Sequence, residues 1–293
     1  MKLALYTHLG RRQAGVLGAD RLFGIEEPSL VAFLARGEDA RRGAEAALAA
    51  GDGVPVEEVE FLPPLLGADK LICVGRNYLE HVKEAGREAP QYPVLFSRYW
   101  SSVVGHRHAL LRPQLSEQFD YEAELCAVIG RECRYVPRER ALEVVGGYTI
   151  LQEGSVRDWQ MRAPTQMAGK NFLRSGAMGP WLVTSDEIPD PQALRITTLL
   201  NGEVMQDDNT RGMLYDVSFL VSYISQFTPL LPGDVIATGT PPGVGFARKP
   251  PVWLKAGDRL EIEIEGLGRL ENSVEDEPES AEALASSWRS ATV

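Results

Sequence analysis

Asp120-Tyr-Glu-Ala-Glu-Leu-Cys-Ala-Val-Ile-Gly130 alternates strictly, and side chains two apart on a strand share a face. Glu122 and Glu124 therefore fall on one face of a strand predicted over Glu122 to Ile129, with Tyr121, Ala123 and Leu125 on the other. The acidic face continues into Cys126 and Val128, which predicts a buried face rather than a wetted one. Two carboxylates at this spacing stand about 7 Å apart and repel in a low-dielectric setting, so a positive charge is expected between them. An isolated Glu-x-Glu is ordinarily a solvated pair on an edge strand, and its meaning depends on its surroundings. A third acid, Glu153, follows directly on Gly147-Tyr-Thr-Ile-Leu-Gln152, where a strand end could bring it to the pair. Three carboxylates and water are the hard-oxygen set that suits Mg²⁺ or Mn²⁺, whereas the four histidines lack the HxxxH or HExxH spacing that favours zinc.

On either side of this stretch the chain is built of short β-branched runs separated by turn residues. Strands are predicted at Leu71 to Val74, Val144 to Leu151, Trp181 to Thr184, Arg195 to Leu200, Val235 to Thr238 and Arg259 to Ile264. Helices are placed at Tyr78 to Ala85, Arg138 to Leu142 and Val217 to Phe227, giving a mostly antiparallel or mixed β-structure with few helices. Residues 1 to about 68 form a smaller unit, with strands at Lys2 to Tyr6 and Ala14 to Leu17 and an amphipathic helix over Ala40 to Ala50; Pro63 and Pro64 close it. The expected division is 1–68 and 69–293, with the acidic, Ala- and Ser-rich tail after Asn272 peripheral.

Composition narrows the function. A chain of 293 residues, 44% hydrophobic, can bury a sizeable core. A formal net charge of -11 without a long basic run argues against nucleic acid. No apolar run approaches the roughly 20 residues of a bilayer span, and Met1 to Tyr6 is too short for a signal peptide, so a cytoplasmic protein with no membrane partner is expected. Cys73, Cys126 and Cys133 lack CxxC spacing and read as reduced, buried thiols.

Three further segments carry polar chemistry. Val74-Gly-Arg-Asn-Tyr-Leu-Glu-His81-Val-Lys-Glu84 reads as strand, turn and short helix, with His81 and Glu84 at i and i+3. A carboxylate beside an imidazole fixes its tautomer and raises its basicity, so His81 could deprotonate a water while Glu84 orients it. Lys170, after Gly169, is a long cationic arm suited to a substrate carboxylate or a developing oxyanion. Thr238-Gly-Thr-Pro-Pro-Gly-Val-Gly245 is too rich in Gly and Pro to be a strand, and its N–H groups and the Thr240 hydroxyl can approach a ligand. No Gly-Lys-Thr or Gly-Lys-Ser closes it, so it is not a nucleotide loop.

Together these segments resemble the fumarylacetoacetate hydrolase family, in the bacterial branch of acylpyruvate hydrolases, diene-dioate isomerases and oxo-acid decarboxylases. The matching stretches are Val74–Tyr78 with His81 and Glu84, Asp120–Glu124, Gly154–Gln160, Gly169–Phe172, Gly179–Thr184, Asn201–Glu203 and Pro232–Pro241, in the family's order from about residue 70 to residue 277. The resemblance implies an α+β fold: a rolled, mixed, mostly β core preceded by a small N-terminal α/β domain, and a homodimer. It implies that Glu122, Glu124 and Glu153 are metal ligands for Mg²⁺ or Mn²⁺, and that His81 and Glu84 are a catalytic dyad on a lid-like segment. It further implies that Lys170, Arg157, Gln160 and Thr240 contact substrate; Arg76, in the Val74–Tyr78 motif, is placed with the substrate-binding residues. Two departures stand out: Gln152-Glu153 replaces the usual Asn-Asp, putting a longer carboxylate at the third ligand position, and Arg98 stands where Lys is common.

The expected reaction is hydrolysis of a C–C bond in a small 2,4-dioxo acid of the acylpyruvate or fumarylpyruvate type, through a metal-stabilised enolate. Decarboxylation or isomerisation of a 2-oxo acid or diacid uses the same electrostatic device, and both remain open. An imide or amide hydrolase and a non-catalytic metal-binding homologue are the competing classes.

Overall fold

The computed structural model describes residues 1–280. Its centre is a 12-stranded mixed sheet, and the strand Ala123–Ile129 lies inside it between Val145–Gln152 and Val235–Ala237. All seven residues of Ala123–Ile129 are buried because the two faces enter different cores. Ala123, Leu125, Ala127 and Ile129 pack with Tyr148, Ile150 and Ile196, whereas Cys126 and Val128 pack with Leu3, Leu5 and Leu151. Strict alternation here separates two apolar cores, and the acids occupy only the beginning of one row. The strand begins at Ala123, one residue later than predicted, so Glu122 immediately precedes it.

Val235–Ala237 runs parallel to Leu71–Gly75, which delivers the turn before the helix Leu79–Glu84 to the same sheet end. A short pairing of Phe119–Asp120 with Ser155–Val156 brings the segment before Glu122 beside the segment after Glu153. A five-stranded sheet of Glu203–Asn209, Arg195–Leu200, Arg259–Ile264, Gly268–Asp276 and Leu110–Arg112 packs against the first. The helix Val217–Phe227 starts on Asp216, whose side chain accepts the Phe219 N–H, and buries Val217, Leu220, Val221 and Ile224 along one stripe.

The first 68 residues contribute Lys2–His8, Arg11–Gly18 and Arg21–Gly24 and the helices Leu30–Arg36 and Glu38–Ala50. Lys2–His8 pairs with Gly176–Thr184, so these strands continue the central sheet. Three expectations need correction. The segment after Asn272 is not wholly peripheral: Gly268–Asp276 is a strand paired on both sides, with Val274 buried and Asn272 donating to the carbonyls of Gly105 and His108. Residues 281–293 of that tail lie outside the described residues. Arg138–Val144 is a 3-10 rather than an α-helix, and Cys133, held near the surface by a bridge to Leu230, is half-buried. Among the described residues no helix is long and apolar enough to cross a membrane.

Candidate active site

At the sheet end where these segments meet, Glu122, Glu124 and Glu153 converge, with one carboxylate oxygen from each within 4.8 Å of the others. They are 4%, 1% and 1% exposed, so their charges are answered by protein rather than by water. The Glu153 N–H donates to the Glu122 carbonyl at 2.9 Å, and the Glu122 N–H donates to Gln152 Oε1 at 2.9 Å. These two backbone anchors set the ligand spacing. Gly154 follows because a Cβ there would lie 1.8 Å from the Ser175 carbonyl oxygen.

The three acids are not equivalent. Burial works against ionising Glu122, but Arg157 and Lys170 outweigh it and hold the carboxyl well below the usual range. Arg157 Nη1 is 2.5 Å from Glu122 Oε1, and Lys170 Nζ donates to Glu122 Oε2 at 2.6 Å. Glu124 is pushed well above the usual range by burial and by the charges of Glu153 and Glu122, with the Gly239 N–H at 3.0 Å as a partial offset. Lys170 also donates to Glu153 Oε2 at 2.8 Å, while Glu153 Oε1 has no partner. The expected positive charge is present, but it bridges Glu122 and Glu153 rather than Glu122 and Glu124. Lys170 is thus engaged with carboxylates, where sequence reading aimed it at substrate. A cluster of carboxylates that retains an unsatisfied oxygen and one carboxyl raised by burial and by its like-charged neighbours fits a hard dication.

His81 faces the same cavity, of about 480 Å³, which is also lined by Arg76, Arg157, Gln160, Lys170 and Thr240. Glu84 stands one step back: its Oε1 is 2.8 Å from His81 Nδ1, and its Oε2 accepts the Gly243 N–H at 2.9 Å. An ionised Glu84 makes Nδ1 the donor and leaves Nε2 as the basic nitrogen. Asn77 pins the turn ahead of this helix by donating to the carbonyls of Tyr215 and Thr238. Gln160 accepts from Arg157 Nη1 and donates to Gln166, and Thr240 Oγ1 accepts from Gln206 Nε2 at 2.9 Å. The candidate metal, catalytic and substrate-binding residues are therefore all at this cavity or, for Glu84, directly behind it.

Sequence reading missed what holds these groups. Asp120 is fully buried and takes the N–H groups of Tyr121, Gly245 and Phe246. Arg157 Nε donates to Asp120 Oδ2 at 2.8 Å; Nη2 is equally close to that oxygen but is not aligned for a hydrogen bond. Asp120 heads the quoted acidic run, and that adjacency was the available signal. Gln206 and Phe246, which lies under the Arg157 guanidinium at 4.5 Å, carried none. The loop 238–245 also differs from expectation: its N–H groups at Gly239, Gly243 and Gly245 go to Glu124, Glu84 and Asp120 and not to a ligand.

A sequence model described as the fumarylacetoacetate (FAA) hydrolase C-terminal family matches residues 70–275. The oxaloacetate tautomerase Fahd2a, mitochondrial, of Rattus norvegicus is 43% identical over 248 residues, covering 84% of this chain and 79% of that one. Among solved structures, a fumarylacetoacetate hydrolase from Exiguobacterium antarcticum superposes with a TM-score of 0.80 at 35% identity, over 94% of this chain and all of the other. A maleylpyruvate hydrolase from Sphingobium sp. SYK-6, in complex with manganese (II) and pyruvate, superposes at 0.81 with 28% identity, over 95% of this chain and all of the other.

Proposed function

The chain belongs to the fumarylacetoacetate hydrolase family, and from that premise we propose that it is a Mg²⁺- or Mn²⁺-dependent enzyme that interconverts the keto and enol forms of an oxaloacetate-type 2-oxo acid. The observation that carries the reading is the convergence of Glu122, Glu124 and Glu153 in one cavity with a carboxylate-oriented imidazole. The 43% identity to an oxaloacetate tautomerase, against 35% and 28% to the two hydrolases of solved structure, favours proton movement over bond cleavage.

Glu122, Glu124 and Glu153 would hold the dication, which when bound supplies Lewis acidity toward the 2-oxo oxygen of the substrate. His81 Nε2 takes a proton from C3 while Glu84 stabilises the imidazolium through Nδ1. The C–H electron pair becomes the C2–C3 double bond, the oxygen at C2 gains the charge, and return of the same proton from the His81 imidazolium to that oxygen completes the enol and restores neutral His81. Thr240 serves that oxygen: its Oγ1 already accepts from Gln206, so its own proton is free to be donated into the cavity. Lys170 and Arg157, fixed on Glu122, keep positive charge beside the same centre.

A second reading is hydrolysis of the C3–C4 bond of a 2,4-dioxo acid, with His81 activating a water. The His81–Glu84 pair and the 35% identity to a fumarylacetoacetate hydrolase favour it. The two separate in one experiment that follows loss of the ultraviolet enol absorbance of oxaloacetate and release of pyruvate from an acylpyruvate. Metal-dependent acceleration of the first, lowered about 10²- to 10⁴-fold in His81→Asn, is expected. Pyruvate release without accelerated tautomerisation would replace the first reading by the second.

A further inference from the structure

The cavity holds more positive charge than its acids consume. Arg157 is committed to Asp120 and Glu122, Lys170 to Glu122 and Glu153, and Arg162 to Asp158 and the Trp159 ring. Arg76 and Arg87 line the same cavity, and neither side chain has a carboxylate partner among the described residues. Arg76 follows the strand Leu71–Gly75 in a left-handed conformation, φ 58°, and its Nε is buried without a hydrogen-bond acceptor. A buried guanidinium nitrogen without an acceptor is costly, and its planar donors match a carboxylate.

Charge balance says where that carboxylate comes from. Asp120, Glu122, Glu124 and Glu153 are answered by Arg157, Lys170 and a dication, and the buried Arg98 does not line the cavity: its Nη1 and Nη2 donate to the Gly154 carbonyl and the Ser175 hydroxyl. A second carboxylate on the substrate would find no remaining cation at the acidic centre. Arg76 and Arg87, which line the same cavity and have no carboxylate of their own among the described residues, offer it one.

We infer that Arg76, assisted by Arg87, is the specificity determinant for a distal carboxylate, so that the substrate class is a 2-oxo dicarboxylic acid rather than a 2-oxo monocarboxylic acid. The inference rests on the preceding reading, in which the 2-oxo end is held at the Glu122, Glu124 and Glu153 centre.

The test is calorimetric titration of the protein, with and without Mg²⁺, using oxaloacetate and 2-oxobutyrate, which has the same carbon chain but ends in a methyl group. Native protein with Mg²⁺ should prefer oxaloacetate by about 10- to 100-fold in Kd, the range for a charge-assisted hydrogen bond. Arg76→Met should bring the two acids to within about threefold of one another without weakening 2-oxobutyrate, and Arg76→Lys should recover part of the preference. Arg87→Met, at an exposed position that does not threaten folding, should lower the preference by a smaller factor. Mg²⁺-dependent binding of both acids without preference, or full preference in Arg76→Met, overturns the distal site alone. A preference that requires Arg76 but not Mg²⁺ supports the distal site and overturns the metal-centred reading.

Discussion

Lys170 is the internal counter-charge of the acidic centre, and replacing it with Met tests that role quantitatively. Its Nζ lies 2.6 Å from Glu122 Oε2 and 2.8 Å from Glu153 Oε2, and its side chain is 3% exposed. Met keeps most of the aliphatic stem, so the change removes charge with little loss of packing. Breaking a buried ion pair by deleting one partner costs about 3–5 kcal/mol, because the other charge stays buried without compensation. For a domain of this size that corresponds to a fall in Tm of about 6–20 °C. A stranded carboxylate can escape by taking up a proton, so its pKa in the folded variant rises above the unfolded value. The folded state then binds more protons than the unfolded chain above about pH 4.3, and stability falls as pH rises by up to about 1.4 kcal/mol per unit. Thermal melts in chelator across a pH series should therefore separate native protein and variant most on the alkaline side. Saturating Mg²⁺ should close much of the gap, since the dication supplies the missing charge. A Lys170→Met protein that melts within about 2 °C of native in chelator at every pH would refute the counter-charge role.

Gly239→Ala should be destabilising, because φ at Gly239 is 96° and a Cβ would lie 2.8 Å from Asn77 Cβ and 2.9 Å from the Val74 carbonyl oxygen. The strain alone is worth about 1–3 kcal/mol, read as an earlier urea midpoint, and displacement of the N–H bound to Glu124 should weaken Mn²⁺ binding in a calorimetric titration. His106 has its pKa lowered to about 4 by burial and by Arg107, and its Nδ1 accepts the Glu271 N–H. Its contribution to stability is intact above the unfolded value near 6.5 and is lost as pH falls toward about 4, a span worth about 3 kcal/mol. In His106→Asn, denaturant titrations should show that much less acid destabilisation than in native protein; parallel curves would assign the acid sensitivity elsewhere.

The legible parts of the fold were those in which local pattern and burial agree. Arg195–Leu200, Arg259–Ile264 and Val217–Phe227 have the bounds read from their periodicity, since each places one apolar row against a core. Glu203–Asn209 escaped notice because it is an edge strand with only Met205 and Gln206 buried, and its acidic composition resembles a loop. The first half of Gly176–Thr184 was hidden by glycines that admit close neighbours: a Cβ at Gly176 would meet Arg98 Nη2 at 2.5 Å. At the site, residue types were legible but partners were not. Lys170 could be singled out by its setting in sequence, yet its bonds to Glu122 and Glu153 span 48 and 17 residues. Asp120 and Arg157 are 37 residues apart, and no local spacing announces that clamp.

The segment 238–245 gives its amide hydrogens to Glu124, Glu84 and Asp120. One stretch of peptide thereby acts as a common ruler for three anions that sequence distributes over two distant regions. Their separations cannot be adjusted one at a time: a shift in the ruler moves them all. Double-substitution cycles that pair this stretch with any of the three acids should be strongly non-additive, and adaptation to a substrate of different length is easier through lining residues outside it, such as those around 161–166.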